Sequence, residues 1–486
     1  MPGFWETRIR PFGPAPDGFQ AIHLIHLRTG RFLLHDRETA MVWDPATGNF
    51  QSVPPPANSR LFCSGHSAMA DGRILFAGGA FVDPAVNGSP APKEAYLFDP
   101  GDQDQDPPTP PSWSQLADMQ YQRFYPTCTT LGDGRVLVAS GYQANPTPAL
   151  FASFLELYDP ADQAFETLTP EHVQERYPFM FLLPDGNLVD AGPATLTRRL
   201  LAPPGVPEWI WSEGQAGPEA GMYVGSAVVY DAVAGKVLKS GGAATFAPEE
   251  PGVVAAALFD HQAAVWWGLT ANMHFGRRNH NLVVLPDQTV LAVGGNLNGN
   301  SYNAPQGNAT PEPVMEAEIF DPASETWART NVEMTDPRWY HSTAVLLPDA
   351  RVLTAGGNTH PQGPYTIHSA QIFRPPYLDG DPDRASFVAP LPPSVMNYGQ
   401  PYTFGYTHPS DLGISKVCLI RLASVTHSFD EDQRYVPLSF TVSEGNITLT
   451  APANGSIAPP GYYMLFIVDV NGVPCASAAY VRVAAA

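Results

Sequence analysis

Residues 66–79 read HSAMADGRILFAGG, and this stretch holds the pattern that decides the fold. Two short apolar runs flank an Asp-Gly pair, and the second run ends in glycine. Asp-Gly between apolar runs is a strong hairpin signal, because both turn residues tolerate a positive φ angle. The stretch therefore predicts two antiparallel strands joined by a tight turn.

The same pattern recurs along the chain. Its copies are CTTLGDGRVLVASG (128–141), FLLPDGNLVDAG (181–192), AVVYDAVAGKVLKSGG (227–242), LVVLPDQTVLAVGG (282–295), AVLLPDARVLTAGG (344–357) and a weaker IHLIHLRTGRFLL (22–34). Most copies precede a strand that ends in a motif such as LFDP (97–100) or IFDP (319–322). A repeat of roughly fifty residues is typical of kelch propellers, which are closed rings of four-stranded sheets. We predict seven blades between about residues 18 and 380, the fourth being irregular around RRLLAPPGVPEWIW (198–211).

The pattern changes from about residue 385. Stretches such as ISKVCLIRL (414–422) and GYYMLFIVDVNGVPCASAAYVRV (461–483) read as alternating strands at the spacing of a β-sandwich. We therefore predict an all-β chain with a seven-bladed kelch-type propeller over 1–384. An immunoglobulin-like β-sandwich over 385–486 follows it and contributes a loop to the propeller channel.

Composition narrows the classes of function. The chain of 486 residues has a formal net charge of −21, which argues against nucleic acid and anionic membranes as partners. This charge suits small uncharged substrates. No run is long and apolar enough to cross a bilayer. The N-terminal stretch MPGFWETRIRPFGPAPDG lacks the pattern of a signal peptide, so we expect a cytoplasmic protein or one whose leader has been removed.

The four cysteines are too few and too scattered for a disulfide framework or a CxxC zinc site. They are Cys63, Cys128, Cys418 and Cys475. A buried small hydrophobe is the simplest interpretation of each. A disulfide between Cys418 and Cys475 within the C-terminal domain is the alternative.

Several residues that can bind a metal lie where innermost blade strands begin. In a propeller these positions meet at one mouth of the channel, although they are distant in sequence. They are Cys63, Tyr125, Tyr177, His280 and the adjacent pair Tyr340 and His341. The backbone is not yet constrained by the ladder there, so the two adjacent side chains can converge on one point. Channel packing is the simpler interpretation of each tyrosine, but converging Tyr oxygen and His nitrogen atoms suit copper.

Four stretches together resemble one known family. They are FCSGHSAMADGRILFAGG (62–79), RFYPTCTTLGDGRVLVASG (123–141), RWYHSTAVLLPDARVLTAGG (338–357) and LIRLASVTHSFDEDQRYVPLSF (419–440). In this order they resemble the galactose oxidase and glyoxal oxidase family of mononuclear copper-radical oxidases, and the similarity covers nearly the whole chain. The stretches RFYPT and RYPFMFLLPDGNL resemble the glyoxal oxidase branch more than the galactose oxidase branch.

The resemblance implies a specific site and activity. One copper ion would be bound by Tyr125, Tyr340, His341 and His427, and a thioether would join Cys63 to Tyr125 as a radical cofactor. Tyr340 would act as the general base. The implied reaction converts primary alcohols or aldehydes and O₂ to aldehydes or carboxylic acids and hydrogen peroxide. The resemblance also implies a secreted or extracytoplasmic protein, and we expect a monomer.

One departure from the family pattern concerns the cover of the site. Galactose oxidase has a tryptophan stacked over the thioether, whereas this chain reads GYQANP (141–146) there, without tryptophan. An aromatic residue from EWIWSEG (208–214) or GMYVGS (221–226) is the candidate cover. His66 and His280 are interpreted as residues that support the site or the fold. The alternatives to an oxidase are a kelch-type protein that binds another protein and a lectin-like propeller that binds carbohydrate.

Overall fold

The structure is a computed structural model that describes residues 3–10, 12–13, 18–83, 85–102, 107–145, 150–169, 171–202, 209–217, 222–245, 250–298, 312–358 and 366–484. Over these ranges the chain is all-β, and its one helical element is the 3₁₀ turn Pro376–Leu378. In chain order, the strands before this turn are β1 Phe4–Trp5, β2 His23–His26, β3 Phe32–His35, β4 Ala40–Trp43, β5 Phe50–Ser52, β6 Gly65–Ala68, β7 Ile74–Ala77, β8 Ala95–Asp99, β9 Ser112–Gln115, β10 Thr127–Thr130, β11 Val136–Ala139, β12 Leu155–Asp159, β13 Ala164–Leu168, β14 Met180–Leu182, β15 Leu188–Asp190, β16 Leu196–Leu201, β17 Ile210–Trp211, β18 Gln215–Ala216, β19 Ser226–Asp231, β20 Lys236–Ser240, β21 Ala256–Asp260, β22 Trp267–Leu269, β23 Arg278–Val284, β24 Val290–Asn296, β25 Glu316–Asp321, β26 Thr326–Glu333, β27 Ser342–Leu346, β28 Val352–Gly356 and β29 Ala370–Arg374. The strands after it are β30 Ser386–Val388, β31 Val395–Asn397, β32 Pro401–Thr407, β33 Ile414–Arg421, β34 Ser424–Thr426, β35 Phe429–Asp430, β36 Tyr435–Pro437, β37 Phe440–Ser443, β38 Asn446–Thr450, β39 Gly461–Asp469 and β40 Ala479–Ala484.

The strands before the 3₁₀ turn form small antiparallel sheets that follow one another along the chain. Their orders are β2-β3-β4-β5, β6-β7-β8-β9, β10-β11-β12-β13, β14-β15-β16-β17, β19-β20-β21-β22, β23-β24-β25-β26 and β27-β28-β29-β1, and β18 also pairs with β16. The first strands of several neighbouring sheets contact each other. For example, β6 contacts β10, and β23 contacts β27. Strand β27 also contacts β2, so the last sheet meets the first. The N-terminal strand β1 pairs with β29 and ties the two ends of this region together.

An aspartate holds the turn in each of five repeated hairpins. In the first, the Asp71 side chain accepts a hydrogen bond from the Arg73 backbone N–H at 3.0 Å, and Gly72 has a φ of 82°. Two later copies lack glycine at this position, yet Gln288 and Ala350 also adopt positive φ angles, of 78° and 68°. The aspartate and the flanking strands therefore impose the left-handed turn even where the side chain disfavours it.

The strands after the turn form two further sheets and one separate hairpin. The sheet orders are β30-β32-β38-β37 and β31-β40-β39-β33-β36, and residues of both belong to one hydrophobic cluster. The hairpin β34–β35 leaves these sheets and pairs with β2, with Thr426 opposite His23. A C-terminal segment is thereby placed against β2, the first strand of the first sheet.

The segment Asp430–Arg434 is buried although four of its five residues are ionisable. Its side chains bind backbone groups of the inner strands. Glu431 accepts hydrogen bonds from the N–H groups of His66, at 3.3 Å, and of Cys128, and Asp432 accepts one from Ala68 at 2.7 Å. Burial raises the pKa of both carboxyl groups, and these hydrogen bonds offset part of the cost of burying them.

All four cysteines are buried and free. A disulfide between Cys418 and Cys475 is therefore wrong: the Cys418 thiol donates to the Pro286 carbonyl at 3.6 Å, and the Cys475 thiol donates to the Ser477 carbonyl at 3.4 Å. In the described part of the chain, no helix has the length and hydropathy needed to span a membrane.

Candidate metal centre

Residues at or just before the first strands of six sheets share a rare backbone conformation. Positive φ angles of 45° to 67° occur at Cys63, Tyr125, Tyr177, Val224, Asn279 and His341. A non-glycine residue in this region costs of order 1–3 kcal/mol and persists only where the surrounding structure enforces it. The repetition at equivalent positions of six sheets shows that the fold imposes it. Tyr125, Tyr177, Val224 and Asn279, together with Tyr340, the neighbour of His341, line one cavity.

Tyr340 and His341 lie together although they are adjacent in sequence. Residues on a regular strand point to opposite faces, but His341 has a φ of 64° and precedes β27. The two rings stack with centroids 3.9 Å apart and planes inclined by 30°. The left-handed residue therefore brings the phenol and the imidazole to the same side of the chain.

Five side chains from four regions of sequence meet at this point. The Tyr340 hydroxyl lies 3.0 Å from the Tyr125 hydroxyl, and the His341 Nε2 atom lies 2.8 Å from the Nε2 atom of His427. The Cys63 Sγ atom lies 3.3 Å from the same His427 nitrogen. Ligand atoms of Cys63, His341 and His427 all lie within 4.8 Å of one another.

The hydrogen bonds of His427 fix which ring nitrogen faces the cluster. The Thr426 hydroxyl donates to the Ile22 carbonyl at 3.1 Å, so it accepts a hydrogen bond from His427 Nδ1 at 2.6 Å. The Nδ1 atom therefore carries the proton and Nε2 keeps its lone pair. Burial lowers the pKa of both His341 and His427 well below the usual imidazole value. Both are thus neutral at pH 7, which is the form that binds metals.

Cys63 and Tyr125 contact each other through backbone and side chain. The Tyr125 N–H donates to the Cys63 carbonyl at 3.2 Å, and the two residues belong to one buried cluster. Burial raises the pKa of the Cys63 thiol well above its usual value, and a hydrogen bond with the Tyr125 side chain opposes this shift. The sulfur is therefore a protonated thiol held beside the phenol ring.

A cavity opens beside this cluster. It encloses about 580 Å³, including the part open to solvent, and its lining residues are Tyr125, Arg176, Tyr177, Phe179, Pro193, Val224, Gly225, Asn279, Tyr340 and His427. Among these ten residues, Arg176 is the one with a permanent positive charge. Its guanidinium carbon lies 5.7 Å from the centroid of the Tyr125 ring. The cavity gives a small molecule access to the two phenols and to His427.

The residues around Tyr125 differ from those that the sequence favoured. The Phe124 ring lies closest, with centroids 3.8 Å apart, and the Tyr177 ring follows at 5.0 Å. Trp209 and Trp211 instead pack against a hydrophobic cluster that includes Leu137, Met180 and Leu188. From the segment 221–226, Val224 and Gly225 line the cavity. Of the two segments expected to provide an aromatic cover, 208–214 is therefore wrong, and a cover from 221–226 stays a prediction.

Two histidines that the sequence singled out lie outside the cluster. His280 is the third residue of β23, and its Nε2 atom lies 3.0 Å from the Ser240 hydroxyl. The preceding residue, Asn279, occupies the left-handed position and lines the cavity. The ring of His66 is buried between His23 and Ser424. Sequence reasoning missed Arg176, Asn279 and His23, because no local motif marks them.

The side chains fit a bound copper ion. Two neutral imidazoles with converging Nε2 atoms and two phenol oxygens 3.0 Å apart form an N/O donor set. Such a set suits copper, which also leads the affinity order of the divalent first-row metals. The Thr426 hydroxyl fixes the His427 tautomer, as outer partners commonly do for metal-binding histidines.

Comparisons with known proteins agree with this geometry. Residues 384–483 match the sequence model of the galactose oxidase-like early set domain, and residues 254–377 match that of the glyoxal oxidase N-terminus. Aldehyde oxidase GLOX of Vitis pseudoreticulata is 30% identical over 397 residues, which cover 74% of this chain and 72% of that protein. The chain belongs to the galactose oxidase and glyoxal oxidase family. The resemblance that the four motifs predicted is confirmed.

Two further relatives cover more of the chain. A galactose oxidase of Gibberella zeae is 28% identical over 473 residues, which are 89% of this chain and 62% of that protein. The chain thus spans about six-tenths of that relative's length. A solved structure described as a novel fungal alcohol oxidase of the AA5 family, in complex with copper, covers 99% of this chain at 25% identity and a TM-score of 0.82. The identity to the galactose oxidase, 28%, is close to the identity to aldehyde oxidase GLOX, 30%. The prediction that the chain is nearer to the glyoxal oxidase branch therefore stays a prediction.

Proposed function

We propose that the protein is a copper-radical oxidase that converts primary alcohols or aldehydes with O₂ to aldehydes or carboxylic acids and hydrogen peroxide. The observation that carries this proposal is the meeting of a thiol, two phenols and two neutral imidazoles beside one cavity. A protein that only binds a partner needs no such combination. The oxidase names of the relatives and the copper-bound alcohol oxidase support the same activity.

Each residue of the cluster has a role in the proposal. Tyr125, Tyr340, His341 and His427 would hold one copper ion, which would supply a one-electron oxidant and a site for the substrate oxygen. Cys63 joins the Tyr125 ring through a thioether. The ortho sulfur makes this ring easier to oxidise, so it can hold the second oxidising equivalent that a single copper ion lacks.

Tyr340 and Tyr125 have different roles in the proposed reaction. Tyr340 accepts the proton of the substrate hydroxyl at its Oη atom, as a general base. The oxidised Tyr125 ring abstracts a hydrogen atom from the substrate carbon. An alcohol thereby loses two electrons and two protons and becomes an aldehyde, and O₂ takes them up as hydrogen peroxide. An aldehyde reacts in the same way as its hydrate and becomes a carboxylic acid.

The architecture belongs to the proposal as well. We propose that the sheets before the 3₁₀ turn are the seven blades of a kelch-type propeller over 1–384, and that 385–486 is an immunoglobulin-like sandwich. The contact of the last sheet with the first and the match of 384–483 to an early set domain support this division. We further propose a monomer that acts on small dissolved substrates without nucleic acid or membrane partners, which the net charge of −21 supports.

The test is a screen of the copper-loaded protein with primary alcohols, aldehydes and hydroxycarbonyls, read out by peroxide formation. We expect one copper ion per chain and O₂-dependent peroxide with at least one substrate class. A protein that takes up no copper and makes no peroxide, but is retained on immobilised glycans or by a protein partner, would instead be a non-catalytic propeller.

A further inference from the structure

A chain of buried hydrogen bonds begins at the backbone of Cys63. The Cys63 N–H donates to His23 Nε2 at 3.1 Å, and His23 Nδ1 lies 2.9 Å from His66 Nε2. His66 Nδ1 lies 2.6 Å from the Ser424 hydroxyl, which donates to the His66 carbonyl at 3.0 Å. His23, His66 and Ser424 are fully buried. The chain crosses from β2 through β6 to β34 and so connects residues from both ends of the sequence.

The direction of every bond in this chain is determined. Because a backbone N–H can only donate, His23 Nε2 accepts, and its proton lies on Nδ1. His66 therefore accepts at Nε2 and donates from Nδ1 to the Ser424 hydroxyl. The chain starts at a backbone N–H and ends at a backbone carbonyl, and neither group exchanges protons in catalysis. Its role is therefore orientation and not proton transfer.

We propose that His23 is a positioning residue that holds Cys63 in the conformation required for its cross-link with Tyr125. Cys63 has a φ of 60°, which costs free energy unless its surroundings enforce it. The bond from the Cys63 N–H to His23 is one such constraint. His23 also pairs with Thr426, the residue before His427. The His23 side chain thus holds the backbone of Cys63, and the His23 backbone holds the residue before His427. Together they fix the position of the Cys63 sulfur relative to the His427 ring.

The inference rests on the proposed function, because it concerns formation of its cofactor. In that step the Cys63 S–H bond and one C–H bond of the Tyr125 ring break, and a carbon–sulfur bond forms. Two protons and two electrons leave and reduce O₂ to hydrogen peroxide. A sulfur that is poorly aimed at the ring slows this step without removing any of the reacting groups.

The test compares His23→Phe, His23→Gln and the control His26→Phe. Phenylalanine keeps the ring volume but cannot accept the Cys63 N–H, whereas the glutamine amide oxygen can. His26 lies on the same strand and is equally buried, but its Nε2 atom bonds to the Tyr480 hydroxyl, at 2.8 Å. Each protein is purified without copper, exposed to copper and air, and followed by intact mass for the loss of two hydrogens.

We expect His23→Phe to form the thioether about ten-fold more slowly or worse, since a buried donor without an acceptor is costly. His23→Gln should recover part of the rate, and His26→Phe should match the wild type. If His23→Phe does not fold, His23→Gln and Ser424→Ala decide, and both should slow the cross-link. Wild-type rates in the His23 variants, or equal slowing in His26→Phe, would overturn the inference. A wild-type protein that never loses two hydrogens would instead overturn the proposed function.

Discussion

Replacement of Tyr340 by phenylalanine separates catalysis from metal binding. The change removes one hydroxyl, which lies 3.0 Å from the Tyr125 hydroxyl and lines the cavity. In the proposed site, His341, His427 and Tyr125 remain to hold the metal. The lost hydrogen bond should lower the free energy of unfolding by only about 1 kcal/mol. Loss of a general base typically lowers the rate by about a hundred- to ten-thousand-fold, or about 3–5 kcal/mol of barrier.

Tyr177→Phe is the matched control for this variant. Tyr177 lines the same cavity, and its hydroxyl donates one hydrogen bond, to the Ser64 carbonyl at 3.3 Å. Its stability loss should be similar, but its turnover should stay within about ten-fold of the wild type because no proton transfer is lost. The assay is peroxide-coupled turnover per bound copper, with copper measured separately. Unchanged turnover in Tyr340→Phe, or equal losses in both variants, would refute the role of Tyr340.

Three further outcomes follow from the same structure. Cys63→Ser should fold and bind copper but lose nearly all turnover and the visible absorption of the radical, whereas Cys128→Ser should stay active; equal turnover of the two would exclude the thioether. His427→Ala should weaken copper binding more than about a hundred-fold in chelator competition, whereas His280→Ala should not. Burial raises the pKa of Asp430 to about 7. Its protonated form is therefore favoured in the folded state, and stability falls as pH rises from about 4 to 7, by about 3 kcal/mol. Asp430→Asn should flatten this part of the urea-unfolding profile, and an unchanged slope would contradict the assignment.

Local sequence patterns predicted the hairpins well, because an Asp-Gly turn between apolar runs is decided within a few residues. The irregular fourth unit still forms a sheet, with β16 paired to β17 through Leu200 and Trp211. The pairing of β1 with β29 had no local signal, since the residues involved are more than 360 positions apart. This pairing depends on how all the intervening sheets are arranged and on no single motif.

Sequence motifs also identified the five candidate site residues, but they did not reveal which residues surround the site. Cys63, Tyr125, Tyr340, His341 and His427 stand in recognisable stretches, and the structure places their side chains in one cluster. The supporting residues make contacts that spacing along the sequence does not encode. For example, His66 and Ser424 are 358 positions apart and share two hydrogen bonds.

The sequence analysis also misplaced one residue relative to the cavity. His280 was expected there because it begins an apolar strand, but the strand starts two residues earlier, at Arg278. Asn279 therefore takes the left-handed position, and His280 turns toward Ser240. A shift of one residue exchanges the two faces of a strand, so a small error in its start changes which side chain reaches the site.

The most direct test of the central claim is the mass of the wild-type chain after copper loading in air, combined with peptide mapping of the product. The account predicts a loss of two hydrogens per chain and a cross-linked peptide pair that contains Cys63 and Tyr125. Cys63→Ser, treated in the same way, should keep its full mass. An unchanged wild-type mass together with a Cys63 thiol that is still free after copper uptake would contradict the account.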